Sequence, residues 1–175
     1  MSPRPLLIPH PLRPTAVLLL VLFALKAGAP GAAPVRAQEQ AFAPRFMSLQ
    51  ADEVNVRAGP GTRYPIGWVF RRRGLPVEAI GRFENWVQVR DSEGDTGWVY
   101  RNLLSSARTA IVFAAVQNLY RRPRADSTIL LKAEPGVVVR VMACEGLWCE
   151  VEVAEVRAFI PRAGLWGVTR DETFP

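Results

Sequence analysis

The sequence predicts an all-β protein, two small β-barrels in tandem behind an N-terminal signal peptide. Three observations carry this expectation. The chain matches itself at an offset of 61 to 63 residues. Its apolar residues fall in short runs of strand length, separated by Gly, Pro, Asn and Asp. After Ala37, no stretch of ten or more residues keeps the 3.6-residue apolar period of a helix. Short, closely spaced strands without helices point to barrels, because closure hides the strand edges.

The signal peptide comes first. Residues 1–13 carry Arg4 and Arg13 and no acid, and Thr15 to Leu25 is an uncharged, almost wholly apolar run of 11 residues. A membrane-spanning helix needs roughly 20 apolar residues. A secretory signal needs about 7–15 between a basic start and a small-residue cleavage site. Val35-Arg36-Ala37 supplies that site, and Pro30, Gly31 and Pro34 interrupt any longer helix. Cleavage after Ala37 is therefore expected, which leaves no membrane span in the mature form and a periplasmic location.

Cleavage changes the charge and the chemistry. The 175-residue precursor has 22 basic and 16 acidic groups; losing Arg4, Arg13, Lys26 and Arg36 leaves 18 basic groups, a net charge of +2 instead of +6. A field that weak does not argue for nucleic acid, and Arg71–Arg73 and Arg121-Arg122-Pro-Arg124 read as solvated turns or, alternatively, as clusters that attract an anionic partner at the cell envelope. The only histidine, His10, leaves with the signal, so no Ser-His-Asp or Cys-His nucleophile can form. The same loss removes histidine-ligated zinc, and neither a cofactor nor a metal is expected.

In the first copy, strands are expected at Val54–Arg57, Ile66–Phe70, Leu75–Ile80, Trp86–Arg90 and Gly97–Tyr100, with a helical turn over Arg101–Leu104. A Gly-Pro-Gly loop over Ala58–Arg63 follows the first strand. In the repeat, Asn55, Pro60 and Ile66 fall on Asn118, Pro123 and Ile129, whereas Gly74, Trp86, Val89 and Leu103 fall on Gly136, Trp148, Val151 and Leu165. Arg101 falls on Arg162, and the drifting offset implies single-residue changes in turns. The resulting segmentation is signal 1–37, linker 38–47, barrel 48–104, linker 105–109, barrel 110–168 and tail 169–175. The second linker is short enough for the barrels to touch.

The strand and loop Val54-Asn-Val-Arg-Ala-Gly-Pro-Gly-Thr62, the Gly74 turn, Glu84-Asn-Trp86-Val-Gln-Val89 and Gly97-Trp98-Val99 together resemble the bacterial SH3 domain. Residues 48–104 carry the motifs closely and 110–166 more loosely. The resemblance implies SH3-like barrels of five to six strands and a non-catalytic binding role towards cell-wall or envelope components. The second copy departs from it: Tyr120 replaces Arg57, Arg121-Arg-Pro replaces Ala-Gly-Pro, and Arg157-Ala-Phe159 replaces Thr-Gly-Trp. Its closing Gly164–Val168 segment has no clear counterpart in the first copy.

Arg57 with its loop, and the aromatics Tyr64, Trp68, Trp98 and Tyr100, are the candidate ligand-binding residues, by analogy with the shallow peptide groove of other SH3 domains. Trp86 and Trp148 are expected in the core or at the barrel edge, and Asn55 and Asn118 on nearby backbone. Cys144 and Cys149 flank a tight turn between two strands and are expected to form a disulfide, favoured by export. Catalysis would have to rest on carboxylates such as Glu150 and Glu152, or Asp91, Glu93 and Asp95, all of which read as solvated charge. The expected partner is a cell-wall (peptidoglycan) peptide or an envelope protein. The alternatives are an assembly subunit of an envelope complex and a carboxylate-dependent cell-wall hydrolase. The sequence sets no oligomeric state.

Overall fold

Valines at alternate positions give each strand one inner face. Val54 and Val56 are buried in β2 (Val54–Arg57), as are Val87 and Val89 in β5 (Trp86–Arg90) and Val99 in β6 (Thr96–Tyr100), while the residues between them face outwards. A computed structural model describes residues 42–170. The predicted signal, its cleavage site and the first part of the 38–47 linker lie outside the described residues, as does most of the tail.

The remaining strands of the first copy are β1 (Arg45–Leu49), β3 (Ile66–Phe70), β4 (Pro76–Phe83) and β7 (Leu104–Ser105), the last preceded by a 3₁₀ turn at Arg101–Leu103. They form one seven-stranded sheet in the order β3-β2-β6-β5-β4-β1-β7. The second copy repeats the plan with β8 (Thr109–Val112), β9 (Gln117–Tyr120), β10 (Ile129–Ala133), β11 (Val138–Glu145), β12 (Trp148–Val153), β13 (Val156–Pro161), a 3₁₀ turn at Arg162–Gly164 and β14 (Leu165–Trp166). Its order, β10-β9-β13-β12-β11-β8-β14, matches the first.

Each sheet wraps a core of its own. Phe70 from one end of the first sheet and Leu104 from the other pack on the same valine cluster. The long strand β4 permits this because its register shifts between Ala79 and Gly81, where Ile80 is the extra residue of a bulge. Before the shift β4 pairs with β1, and after it only with β5. β11 shifts in the same way around Met142. The described residues are thus all-β, two tandem SH3-like barrels.

Three details differ from the sequence reading. β1 begins at Arg45, inside the segment read as linker, because only Ser48 and Leu49 of its five residues are buried and no apolar run announces it. The run read as ending at Ile80 continues to Phe83, since residues beyond the bulge still pair with Gln88, Val87 and Trp86. The closing segment of the second copy does have a counterpart. Leu165 pairs with Val112 as Leu104 pairs with Leu49, so Leu165 corresponds to Leu104 and not to Leu103.

The two sheets belong to one compact unit and touch. Ser48, the one buried polar residue among those described, has its hydroxyl 2.5 Å from the Ala107 carbonyl oxygen and 2.6 Å from Thr109 Oγ1. Thr109 Oγ1 lies 2.7 Å from the Gly74 carbonyl oxygen. Arg72 donates to the Gly136 carbonyl at 2.9 Å, and Phe46 meets Trp166 edge-on at 5.1 Å.

Candidate functional site

The outer face of β2, β6 and β5 is where the first barrel differs most from the second. Register places Arg57 opposite Trp98, Trp98 opposite Gln88, and Trp86 opposite Tyr100. The rings of Trp86 and Tyr100 meet edge-on at 5.5 Å, and Tyr100 remains 39% exposed. Beside them opens a groove of about 740 Å³, lined by Asn55, Arg57, the loop Pro60–Arg63, the hairpin residues Phe83 and Glu84, and Trp86, Tyr100 and Leu103.

Two of the five predicted ligand residues, Arg57 and Tyr100, line this groove. Arg57 also builds its wall: Nη1 donates to the carbonyls of Thr62 at 3.1 Å and Tyr64 at 2.7 Å, so the guanidinium clamps the loop that follows β2. Tyr64 is spent inside that loop. Its ring lies so close to Gly59 that a Cβ there would sit 2.5 Å from Cδ1, and the Arg63 guanidinium stacks over it at 5.2 Å. The hydrogen bond to the Tyr64 hydroxyl raises the Arg63 pKa further above its ordinary value, so Arg63 stays charged.

Trp68 and Trp98 lie elsewhere. Trp68 packs against the core and meets Phe70 edge-on at 6.1 Å. It lines a second cleft with Arg72 and the Asp91–Asp95 turn. Trp98 stays half-buried on the outer face of β6, between Arg57 and Gln88, outside the groove. Phe83, Glu84, Leu103 and Asn55 were not among the predicted site residues, and Trp86 was expected to pack rather than to line a site. The one signal for Glu84 in the sequence is its alignment with Gly146, 62 residues on.

Glu84 has φ +49°, and Gly146 has φ +51°. A left-handed conformation is easy for glycine and unfavourable for glutamate. The second barrel differs at the clamp as well. Tyr120 holds the register position of Arg57, opposite Phe159 and Ile129 as Arg57 is opposite Trp98 and Ile66. Its ring packs on Trp148 at 5.5 Å. Pro161 stands where Tyr100 does, opposite the tryptophan.

Cys144 and Cys149 are joined as a disulfide between directly paired strand residues, with Cα atoms 4.0 Å apart. Their counterparts in the first barrel, Arg82 and Val87, form the same cross-strand pair without a bond. Among the described residues no group of three or more His, Cys, Asp or Glu could hold a metal. No helix among them is long and apolar enough to cross a membrane.

The family model described as bacterial SH3 domain matches the chain twice, over residues 50–106 and 114–167. The chain belongs to the bacterial SH3 domain family. The matched ranges take in most of each copy, although β1 and β8 lie just before them, and the second copy matches with its tyrosine in place of the arginine. No curated protein is significantly similar to the chain. Among solved structures, this SH3 pair is similar to NlpC2 from Trichomonas vaginalis, with 14% identity, a TM-score of 0.33, and coverage of 71% of this chain and 48% of that one. It is also similar to an NlpC/P60 family protein from Bacillus cereus ATCC 10987, with 10% identity, a TM-score of 0.32, and coverage of 74% and 58%. The chain spans about half the length of these structures, and a likeness this distant carries no functional argument.

Proposed function

We propose that the protein is a non-catalytic binding module of the periplasm, exported by a cleaved signal, whose first SH3 barrel takes a cell-wall peptide in the groove over Trp86 and Tyr100. The observation that carries this reading is the groove itself. An exposed aromatic floor lies between a clamped loop and a hairpin, which suits an extended peptide with alternate side chains in contact. Family membership supports the cell wall as the source of that peptide, since bacterial SH3 domains typically bind wall or envelope components.

Two of the carboxylates considered for catalysis, Asp91 and Glu152, have other work. Asp91 Oδ1 accepts from the backbone N–H groups of Glu93 at 3.0 Å and Asp95 at 2.9 Å, which shapes the turn. Glu152 lies between Arg140 and Arg157, at 3.9 and 3.8 Å. Both cysteines are in the disulfide. This favours binding over hydrolysis.

The test is to incubate the purified protein separately with purified peptidoglycan and with envelope extract lacking peptidoglycan. Retention on the peptidoglycan is expected. Retention only by the extract would replace the wall peptide with an envelope protein, and release of muropeptides would overturn the non-catalytic reading.

A further inference from the structure

Resting on the groove reading above, we infer that the ligand of the first barrel is zwitterionic: it presents a carboxylate to Arg57 and an ammonium group to Glu84. The two side chains line one groove with opposite charges, beside Arg63, whose guanidinium lies over the Tyr64 ring, yet no ion pair joins Arg57 to Glu84. Arg57 spends Nη1 on the Thr62 and Tyr64 carbonyls, which holds the guanidinium still. Its Nε and Nη2, the edge that pairs side-on with a carboxylate, have no partner among the described residues. The Glu84 carboxylate likewise has none. Arg57 and Glu84 do not neutralise each other, and Arg63 is held against the Tyr64 ring, which leaves places for the two charges of a third party.

The repeat supplies an independent observation. At the hairpin position the second barrel has glycine, the residue that suits φ near +50°, and the first barrel has glutamate despite the unfavourable backbone. At the clamp position the second barrel has Tyr120, whose ring packs edge-on against Trp148. Neither charge therefore stands at the equivalent position of the second barrel, where the hairpin carries Glu145 one place earlier. Neither charge is required by the SH3-like fold, because the second barrel folds the same way without them. Trp86 and Tyr100 provide the apolar surface between the two ends.

The experiment titrates the purified protein by NMR with Nα-acetyl-Ala-Ala-Lys and Nα-acetyl-Lys-Ala-Ala, which carry one ammonium and one carboxylate at two spacings. Each is compared with its Nε-acetylated and its C-terminally amidated form. At least one zwitterion is expected to shift Trp86 and Tyr100 resonances, and loss of either charge to weaken binding by about tenfold, the size of one charge-assisted contact. Glu84→Gln keeps the side-chain length and is expected to bind the free and Nε-acetylated peptides equally. Equal binding of all forms by the unmodified protein, or a Glu84→Gln variant that still prefers the ammonium, would overturn the inference and leave the groove standing. No shift at Trp86 or Tyr100 with any peptide would overturn the groove reading, and the inference with it.

Discussion

Tyr120 stands edge-on to Trp148, their ring centroids 5.5 Å apart and their planes at 88°. That contact sets the two halves of the molecule apart. In the first barrel the tryptophan at the same place has its tyrosine neighbour on the adjacent strand, and the β2 residue that could cover it is an arginine drawn to its own loop. Both tryptophans line a groove, but the groove over Trp86 is walled by Arg57 and its loop and the one over Trp148 by Pro123, Gly146 and Phe159.

The covering contact should be measurable as coupling. Edge-to-face pairs contribute about 0.5–1.5 kcal/mol beyond the area they bury. A double-mutant cycle of Tyr120→Ala and Trp148→Ala, followed by denaturant unfolding, should give a coupling energy in that range. The corresponding cycle of Arg57→Ala and Trp86→Ala should give a smaller one. Equal couplings would mean that Arg57 covers Trp86 as Tyr120 covers Trp148.

The disulfide closes a very short loop. On the chain-entropy estimate a loop of this size contributes about 2 kcal/mol. Reduction, or the paired Cys144→Ala and Cys149→Ala replacement, should lower the stability of the second barrel by about that amount. Hydrogen exchange resolves the two barrels separately, and the loss should fall on β11 and β12 and spare β4 and β5.

Gly97 is needed for close approach. A Cβ there would lie 2.4 Å from Val56 Cγ1 and 3.1 Å from Trp68 Cη2. The second barrel carries Ala158 at the corresponding place, with Leu131 in the position of Trp68. Gly97→Ala should therefore cost about 1–3 kcal/mol through overpacking, and adding Trp68→Leu should recover part of it. Thermal unfolding of the single and double variants checks this; an additive double variant would contradict the compensation.

Ser48 and Thr109 hold the barrels together through three close oxygen contacts served by two hydroxyl protons. Ser48→Ala leaves the groups it faced short of a partner in a buried place, a loss of about 1–3 kcal/mol. Calorimetry should show a lower transition, with the barrels unfolding less cooperatively than in the unmodified protein.

What was legible in the sequence was whatever depends on neighbours along the chain. Val54 and Val56, Val87 and Val89, and the Cys144–Cys149 hairpin could all be read from alternation and turn residues. β1 and β7 could not, because each is short and acquires its strand character only from a remote partner, β1 from β4 and β7 from β1. The site was legible in part for the same reason. The Tyr64 ring lies against Gly59, and Trp68 packs on the core while lining a different cleft, placements that the local pattern does not show. Phe83 and Glu84 reach the groove from the tip of the β4–β5 hairpin, where pairing continues as far as Phe83 and Trp86.

The central proposal is that the peptide binds over Trp86 in the first barrel and not over Trp148 in the second. Co-sedimentation of the Trp86→Ala and Trp148→Ala proteins with purified peptidoglycan tests it most directly, with circular dichroism confirming that both are folded. Deleting a central aromatic anchor commonly costs 2 kcal/mol or more of binding, so Trp86→Ala should weaken retention by at least about tenfold while Trp148→Ala stays within about twofold of the unmodified protein. Retention lost equally in both variants, or lost only with Trp148→Ala, would contradict the account.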